Sequence, residues 1–192
     1  MKLVIGLGNP GQKYDQTRHN VGYEVMVRLA QRYAASSRPK EKFRGEVTEA
    51  SIAGESVTLV RPLTFMNRSG QCVQPLRDFF KLPNEDMLIV CDDFNLPVGQ
   101  LRLKAQGSAG GQNGLADIIQ RCGQDVPRLR IGIGSPPPQW DPADYVLGKF
   151  GREDAAEMKI ALDRAANAAA DWVERGVEYC MNQYNVKATS GE

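Results

Sequence analysis

The chain contains one histidine, His19, inside the polar run Tyr14-Asp15-Gln16-Thr17-Arg18-His19-Asn20. Imidazole has an ordinary pKa near neutrality, which makes His19 the natural general base. The plainer alternative is a polar group satisfied locally, with Asn20 capping the helix that follows. A second candidate is Asp92-Asp93, which closes the apolar run Met87–Cys91. Paired acids suggest a metal, but no further carboxylate or histidine cluster completes a ligand set, and a single histidine excludes His-rich sites. An aspartate that orients a histidine and stabilises its charged form is the more economical reading. Neither a metal nor a cofactor is expected.

Three other segments carry amides or glycines where chemistry could use them. Gly6-Leu7-Gly8-Asn9-Pro10-Gly11 follows a strand and fits the G-x-G-x-x-G of dinucleotide binders. However, the amphipathic helix begins only near Val21, so no helix N-terminus meets a pyrophosphate, and the acidic residue that would hold a ribose is missing. The turn instead leaves the Asn9 amide at the strand's end, able to donate and accept; as a bare turn with Pro10-Gly11 it needs no function. In Phe65-Met66-Asn67-Arg68-Ser69-Gly70, Asn67 could grip a carbonyl while Phe65 and Met66 offer an apolar surface. An ordinary strand-to-helix turn is the alternative there. Gly107-Ser108-Ala109-Gly110-Gly111-Gln112-Asn113-Gly114 has four glycines in eight residues, as in a mobile loop or a close backbone approach. It lacks the Lys-Ser/Thr ending of a P-loop.

The elements that must position these residues read as one α/β domain, a mixed, twisted β-sheet flanked by helices. Lys2–Leu7 is a buried strand, and a helix follows from Val21 to Tyr33. Glu46–Ile52 and Ser56–Arg61 alternate as strands joined through Ala53-Gly54-Glu55, a hairpin. A helix around Val73–Phe80 precedes the strand Met87–Cys91, whose carboxyl end presents the two aspartates. Leu101–Lys104 and Arg128–Ile133 are further strands, separated by a short helix through Leu115–Cys122. An alanine-rich helix runs from Glu153 to about Glu174, and Gly176 separates it from a last helical turn at Val177–Tyr184. With 192 residues, the domain is expected to span residues 1–186, with a frayed tail at 187–192.

Composition narrows the class. Hydrophobic residues make up 42% and charged residues 24%, ordinary for a globular protein, and no run approaches the ~20 apolar residues of a membrane span. The four cysteines form no C-x-x-C pair, which fits a cytoplasmic protein with free thiols better than a disulfide framework. Net charge is only +1, yet residues 1–45 hold nine Lys/Arg against Asp15, Glu24 and Glu41, and residues 96–140 are also basic. Two basic segments separated by an acidic one could fold into a phosphate-attracting face; the bland reading is a mixed solvated surface.

Taken together, the motifs resemble one family. Gly-Leu-Gly-Asn-Pro-Gly, Thr-Arg-His-Asn, Phe-Met-Asn-x-Ser-Gly, an Asp-Asp strand end with Leu-Pro-x-Gly, Gly-Gly-x-Asn-Gly-Leu and Arg-x-Arg-Ile-Gly-Ile-Gly occur in the order and spacing of the bacterial peptidyl-tRNA hydrolases. The resemblance extends from Lys2 to about Tyr184. It implies an esterase that cleaves a blocked peptide from the 3′-terminal ribose of tRNA without metal or cofactor. His19 would be the base and Asp92 its partner, and Asn9 would help tell a blocked nitrogen from a free amine. Asn67 and Asn113 would bind the peptide main chain and tRNA end, with Tyr14, Phe65 and Met66 nearby and Asn20 assisting. Lys104 and Arg130 would hold phosphates of the acceptor arm. A cytoplasmic monomer is implied. The chain departs from the family at Gln112, where most members carry histidine; glutamine can hydrogen-bond a water or substrate but cannot titrate. That departure gives a non-catalytic RNA-binding relative its foothold as the rival reading, whereas retention of His19 and Asp92 favours the enzyme.

Overall fold

The computed structural model describes residues 1–185; the tail expected at 187–192 lies outside the described residues. Seven strands form one mixed sheet in the order β2-β3-β4-β1-β5-β7-β6. The centre is parallel. β1 (Lys2–Gly6) lies between β4 (Glu55–Pro62) and β5 (Met87–Asp93), and β7 (Arg128–Gly132) runs parallel to β5. All seven residues of β5 are buried, as expected where helices cover both faces of a sheet. The outer strands are antiparallel: β3 (Gly45–Ile52) on β4, β2 (Lys40–Lys42) on β3, and β6 (Leu101–Lys104) on β7. The β3–β4 hairpin turns through Ala53 and Gly54, both at positive φ, the turn that suits strand twist.

Strand alternation divides the core in two. Val4, Leu88, Val90, Leu129 and Ile131 face α1 (Val21–Tyr33) and α5 (Arg152–Tyr184). Leu3, Ile5, Met87, Ile89 and Cys91 face α2 (Gly70–Phe80) and α3 (Asn113–Cys122). The same alternation sends Asp92 to the α1 side and Asp93 to the α3 side. α1 lies very close to β1 because both surfaces are glycine. A Cβ on Gly6 would sit 2.2 Å from Gly22 O, and one on Gly22 would sit 2.5 Å from Leu7 N. These glycines serve helix-strand contact, and two short 3-10 turns, Gln12–Tyr14 and Arg18–Asn20, separate the Gly6–Gly11 turn from α1.

α5 packs through Ala161, Ala165, Ala166, Ala168 and Ala169, which are all buried. It breaks at Gly176 (φ 82), where the sequence placed its division. β2 and a six-residue helix, α4 (Pro142–Leu147), add to the elements read from the sequence. No helix among the described residues is long and apolar enough to cross a membrane.

Candidate active site

The chain leaves β1 toward β4 on one side, while the strands after β5 lie on the other, so the order reverses between β1 and β5. Ligands of open α/β sheets bind in the crevice at the carboxyl ends of such strands. His19 lies in the turn after β1, and Asp92 near the end of β5. His19 Nδ1 is 2.8 Å from Asp92 Oδ2. The residues are 8% and 2% exposed, so water screens the contact little. A carboxylate can only accept, so Nδ1 is the donor of this contact, and in a neutral ring the lone pair then lies on Nε2.

Neighbouring contacts hold the histidine turn in place. Arg18 donates from Nη1 to Tyr145 O at 3.2 Å, and its guanidinium stacks 4.2 Å from the Tyr145 ring centre. Arg18 N also bonds Gly148 O. On the other flank, Asn9 N donates to Asn20 Oδ1 at 2.8 Å and Asn20 Nδ2 donates to Asn9 O at 3.0 Å. The Asn9 side chain accepts from Met66 N at 2.8 Å through Oδ1. That bond fixes the amide, and its Nδ2 has no protein partner among the described residues.

A cleft of about 260 Å³ opens on the pair, lined by His19, Asp92, Phe94, the backbone of Gly110 and Gly111, and Asn113. It is also lined by Asp141, which caps α4, and by Pro142, Ala143 and Val146 within that helix, none of them a candidate from the sequence. The available signal was Asp141-Pro142: the Asp141 side chain accepts from Ala143 N, and Pro142 takes the first helical position. Cys91, adjoining Asp92, is no nucleophile, because complete burial pushes its thiol up to about 12. No group of three or more His, Cys, Asp and Glu among the described residues is placed to hold a metal.

The other sequence candidates divide by exposure. Asn67 and Asn113 are exposed, Phe65 is 56% exposed, Tyr14 is half-buried, and Lys104 is exposed on the edge strand β6. Four are turned inward. Asn20 spends its amide on Asn9. Met66 is 4% exposed and packs into the core between α2 and α3, so of the expected apolar surface only Phe65 is open. Gln112 borders the cleft, but its amide is engaged within the protein: Nε2 donates to Asp92 Oδ1 at 2.9 Å and Oε1 accepts from Leu115 N at 2.7 Å. Arg130, expected on a phosphate, is 6% exposed; its Nη1 pairs with Asp93 Oδ2 at 2.9 Å and its Nη2 donates to Ser108 O. Parallel register explains this: Arg130 and Asp93 project from adjacent strands on the same side of the sheet.

The fold is that of an α/β protein with its cleft at the sheet's switch point, where such proteins place their chemistry. Comparison with known proteins gives the class its particular form: a family model described as peptidyl-tRNA hydrolase matches residues 3–191. The chain belongs to the peptidyl-tRNA hydrolase family. It is 52% identical to a peptidyl-tRNA hydrolase of Rhodopirellula baltica, with 100% of both chains covered. It is 45% identical over 188 residues to one from Listeria monocytogenes, covering 97% of this chain and 100% of that protein. The crystal structure of peptidyl-tRNA hydrolase from Acinetobacter baumannii superposes with a TM-score of 0.90 at 39% identity, over 97% of this chain and 95% of that one.

Proposed function

We propose that this chain cleaves the ester joining a peptide's C-terminus to the 3′-terminal ribose of tRNA, with His19 as base. The observation that carries the reading is the 2.8 Å contact of Asp92 with His19 Nδ1, which leaves Nε2 basic beside the cleft. Nε2 takes a proton from water as the water oxygen attacks the ester carbonyl carbon. The tetrahedral intermediate then collapses, the bond to the ribose oxygen breaks, and the imidazolium returns its proton to that oxygen. The products are a peptide acid and a tRNA with a free terminal hydroxyl. Asp92 stabilises the imidazolium between the two proton transfers. The ester is activated already, so the reaction needs no metal.

Asn9 Nδ2, its amide held by Met66 N, donates toward the peptide main chain next to the ester. Asn67, Asn113, Phe65 and Tyr14 surround the tRNA end, and exposed Lys104 meets an acceptor-arm phosphate. These contacts use main chain and phosphates that every substrate shares, which gives tolerance of sequence. The reading includes a monomer in the cytoplasm, in keeping with four free, buried thiols.

The test is release of tRNA from N-acetyl-aminoacyl-tRNA by the native protein and by His19→Ala, with unblocked aminoacyl-tRNA alongside. The blocked substrate should be cleaved preferentially, and loss of the base should slow the reaction by about 10²–10⁴-fold. A folded native protein that binds tRNA without cleaving it would instead be an RNA-binding relative.

A further inference from the structure

We infer that Gln112 is a positioning residue for Asp92, and through it for His19, rather than a contact to substrate; the inference rests on the hydrolase reading above. Asp92 has two carboxylate oxygens, and each has one side-chain partner: Oδ2 faces His19 Nδ1 at 2.8 Å and Oδ1 accepts from Gln112 Nε2 at 2.9 Å. A carboxylate gripped at one oxygen only can rotate about its terminal torsion, which is soft. The second grip fixes the plane in which the first acts. Gln112 is itself fixed at its other end, because Oε1 accepts from Leu115 N at 2.7 Å and so caps α3. Its Nε2 also lies 3.2 Å from Met66 Sδ, and Met66 N holds the Asn9 amide. One buried glutamine, 5% exposed, thus joins the start of α3, the Met66 turn and the catalytic couple.

The chemistry of the amide matters here. Gln112 presents a donor to Asp92 and an acceptor to the helix at the same time, and it does both without gaining or losing a proton. A glutamine in place of the family's usual histidine therefore keeps Asp92 oriented, and the chain remains an enzyme.

Three variants separate the roles. Gln112→Ser keeps a capping oxygen for α3 but is too short to reach Asp92. Gln112→Glu keeps length and cap and replaces the donor with an oxygen. Gln112→His restores a donor of similar reach. Because His19 is the sole histidine, nitrogen NMR at fixed neutral pH reads one imidazole and reports its tautomer without any activity assay. The native protein should show protonated Nδ1 and bare Nε2. Gln112→Ser and Gln112→Glu should lose that single tautomer and lower kcat about tenfold or more, with KM within about twofold, because a carboxylate that no longer holds the imidazole in one tautomer weakens the base. Gln112→His adds a second imidazole, so it is read by kcat alone, which should return close to the native value.

An unchanged tautomer and kcat in Gln112→Ser and Gln112→Glu would overturn the proposal. A raised KM at unchanged kcat would overturn it too, in favour of a substrate contact. If Gln112→Ser unfolds, Gln112→Glu gives the same readouts with the cap intact. Absence of any cleavage by the native protein would strike the hydrolase reading, while the tautomer would still decide whether Gln112 orients Asp92.

Discussion

Asn20 clasps the backbone of Asn9 at both its polar groups, accepting from Asn9 N at 2.8 Å and donating to Asn9 O at 3.0 Å. Both residues are buried, so the clasp locks the turn after β1 to the turn that carries His19. Asn20→Ala would leave an amide and a carbonyl without partners. Stability should fall by about 2–4 kcal/mol, the combined cost of two unpaired buried groups. Asn20→Asp, which keeps the acceptor and loses the donor, should fall between. Urea denaturation measures both, and a loss under about 0.5 kcal/mol for Asn20→Ala would mean the clasp holds nothing.

Arg130 and Lys104 should separate cleanly. Arg130 is paired with Asp93 and tethers Ser108, so Arg130→Ala leaves a buried carboxylate without its charge partner. The expected cost is about 3–5 kcal/mol, together with faster proteolysis within the Gly107–Gly111 loop. Lys104→Ala, at an exposed edge position, should leave stability within about 0.5 kcal/mol. It should instead weaken full-length tRNA substrates and flatten their salt dependence by about one phosphate contact, while sparing a substrate truncated to the terminal nucleotide. Equal losses on both substrates would take Lys104 out of the RNA contact.

The central strands were legible because β1 and β5 are apolar on both faces, and the hairpin because Glu46–Ile52 and Ser56–Arg61 alternate around Ala53-Gly54. β2 was not, since Lys40-Glu41-Lys42 is fully exposed and becomes a strand only by pairing with β3. α4 is too short for periodicity and shows itself only through its Asp141-Pro142 start. At the site, elementary chemistry pointed to His19 and a strand-end carboxylate. Which aspartate faces the histidine is decided by the pleat, which turns Asp92 and Asp93 to opposite sides. Arg130 looked available because its partner is 37 positions away in sequence, and only the β5–β7 register brings Asp93 beside it. Gln112 does border the cleft, but nothing local in the sequence reveals that its amide reaches Asp92.

The four thiols should be silent in the native protein. Burial pushes Cys72, Cys91 and Cys180 up to about 12 and raises Cys122 as well. At pH 8 the first three hold roughly one thiolate in 10⁴, out of reach of reagent. A disulfide reagent should therefore titrate close to none in buffer and all four in guanidinium chloride, while activity survives exposure to the reagent under native conditions. Rapid native labelling at Cys91, with loss of activity, would show that the end of β5 opens readily.

Gly22 tests whether contact between α1 and the sheet sets the histidine's position. A Cβ there would lie 2.5 Å from Leu7 N, Leu7 O and Val90 O, all backbone atoms of the two central strands or their immediate extension. Such atoms cannot move aside as a flexible side chain could, so the start of α1 must shift outward. His19 is three residues upstream and would be drawn from Asp92. Gly22→Ala should cost about 3 kcal/mol, the upper end for overpacking a core, and should lower kcat more than it raises KM. The matched control is Gly151→Ala, where no atom lies within 4 Å and φ is −65, which should change stability by no more than about 0.5 kcal/mol. If Gly22→Ala keeps both native stability and native kcat, the helix slides without penalty. The His19–Asp92 geometry would then have to come from the Asn9–Asn20 clasp and the Arg18 anchor alone.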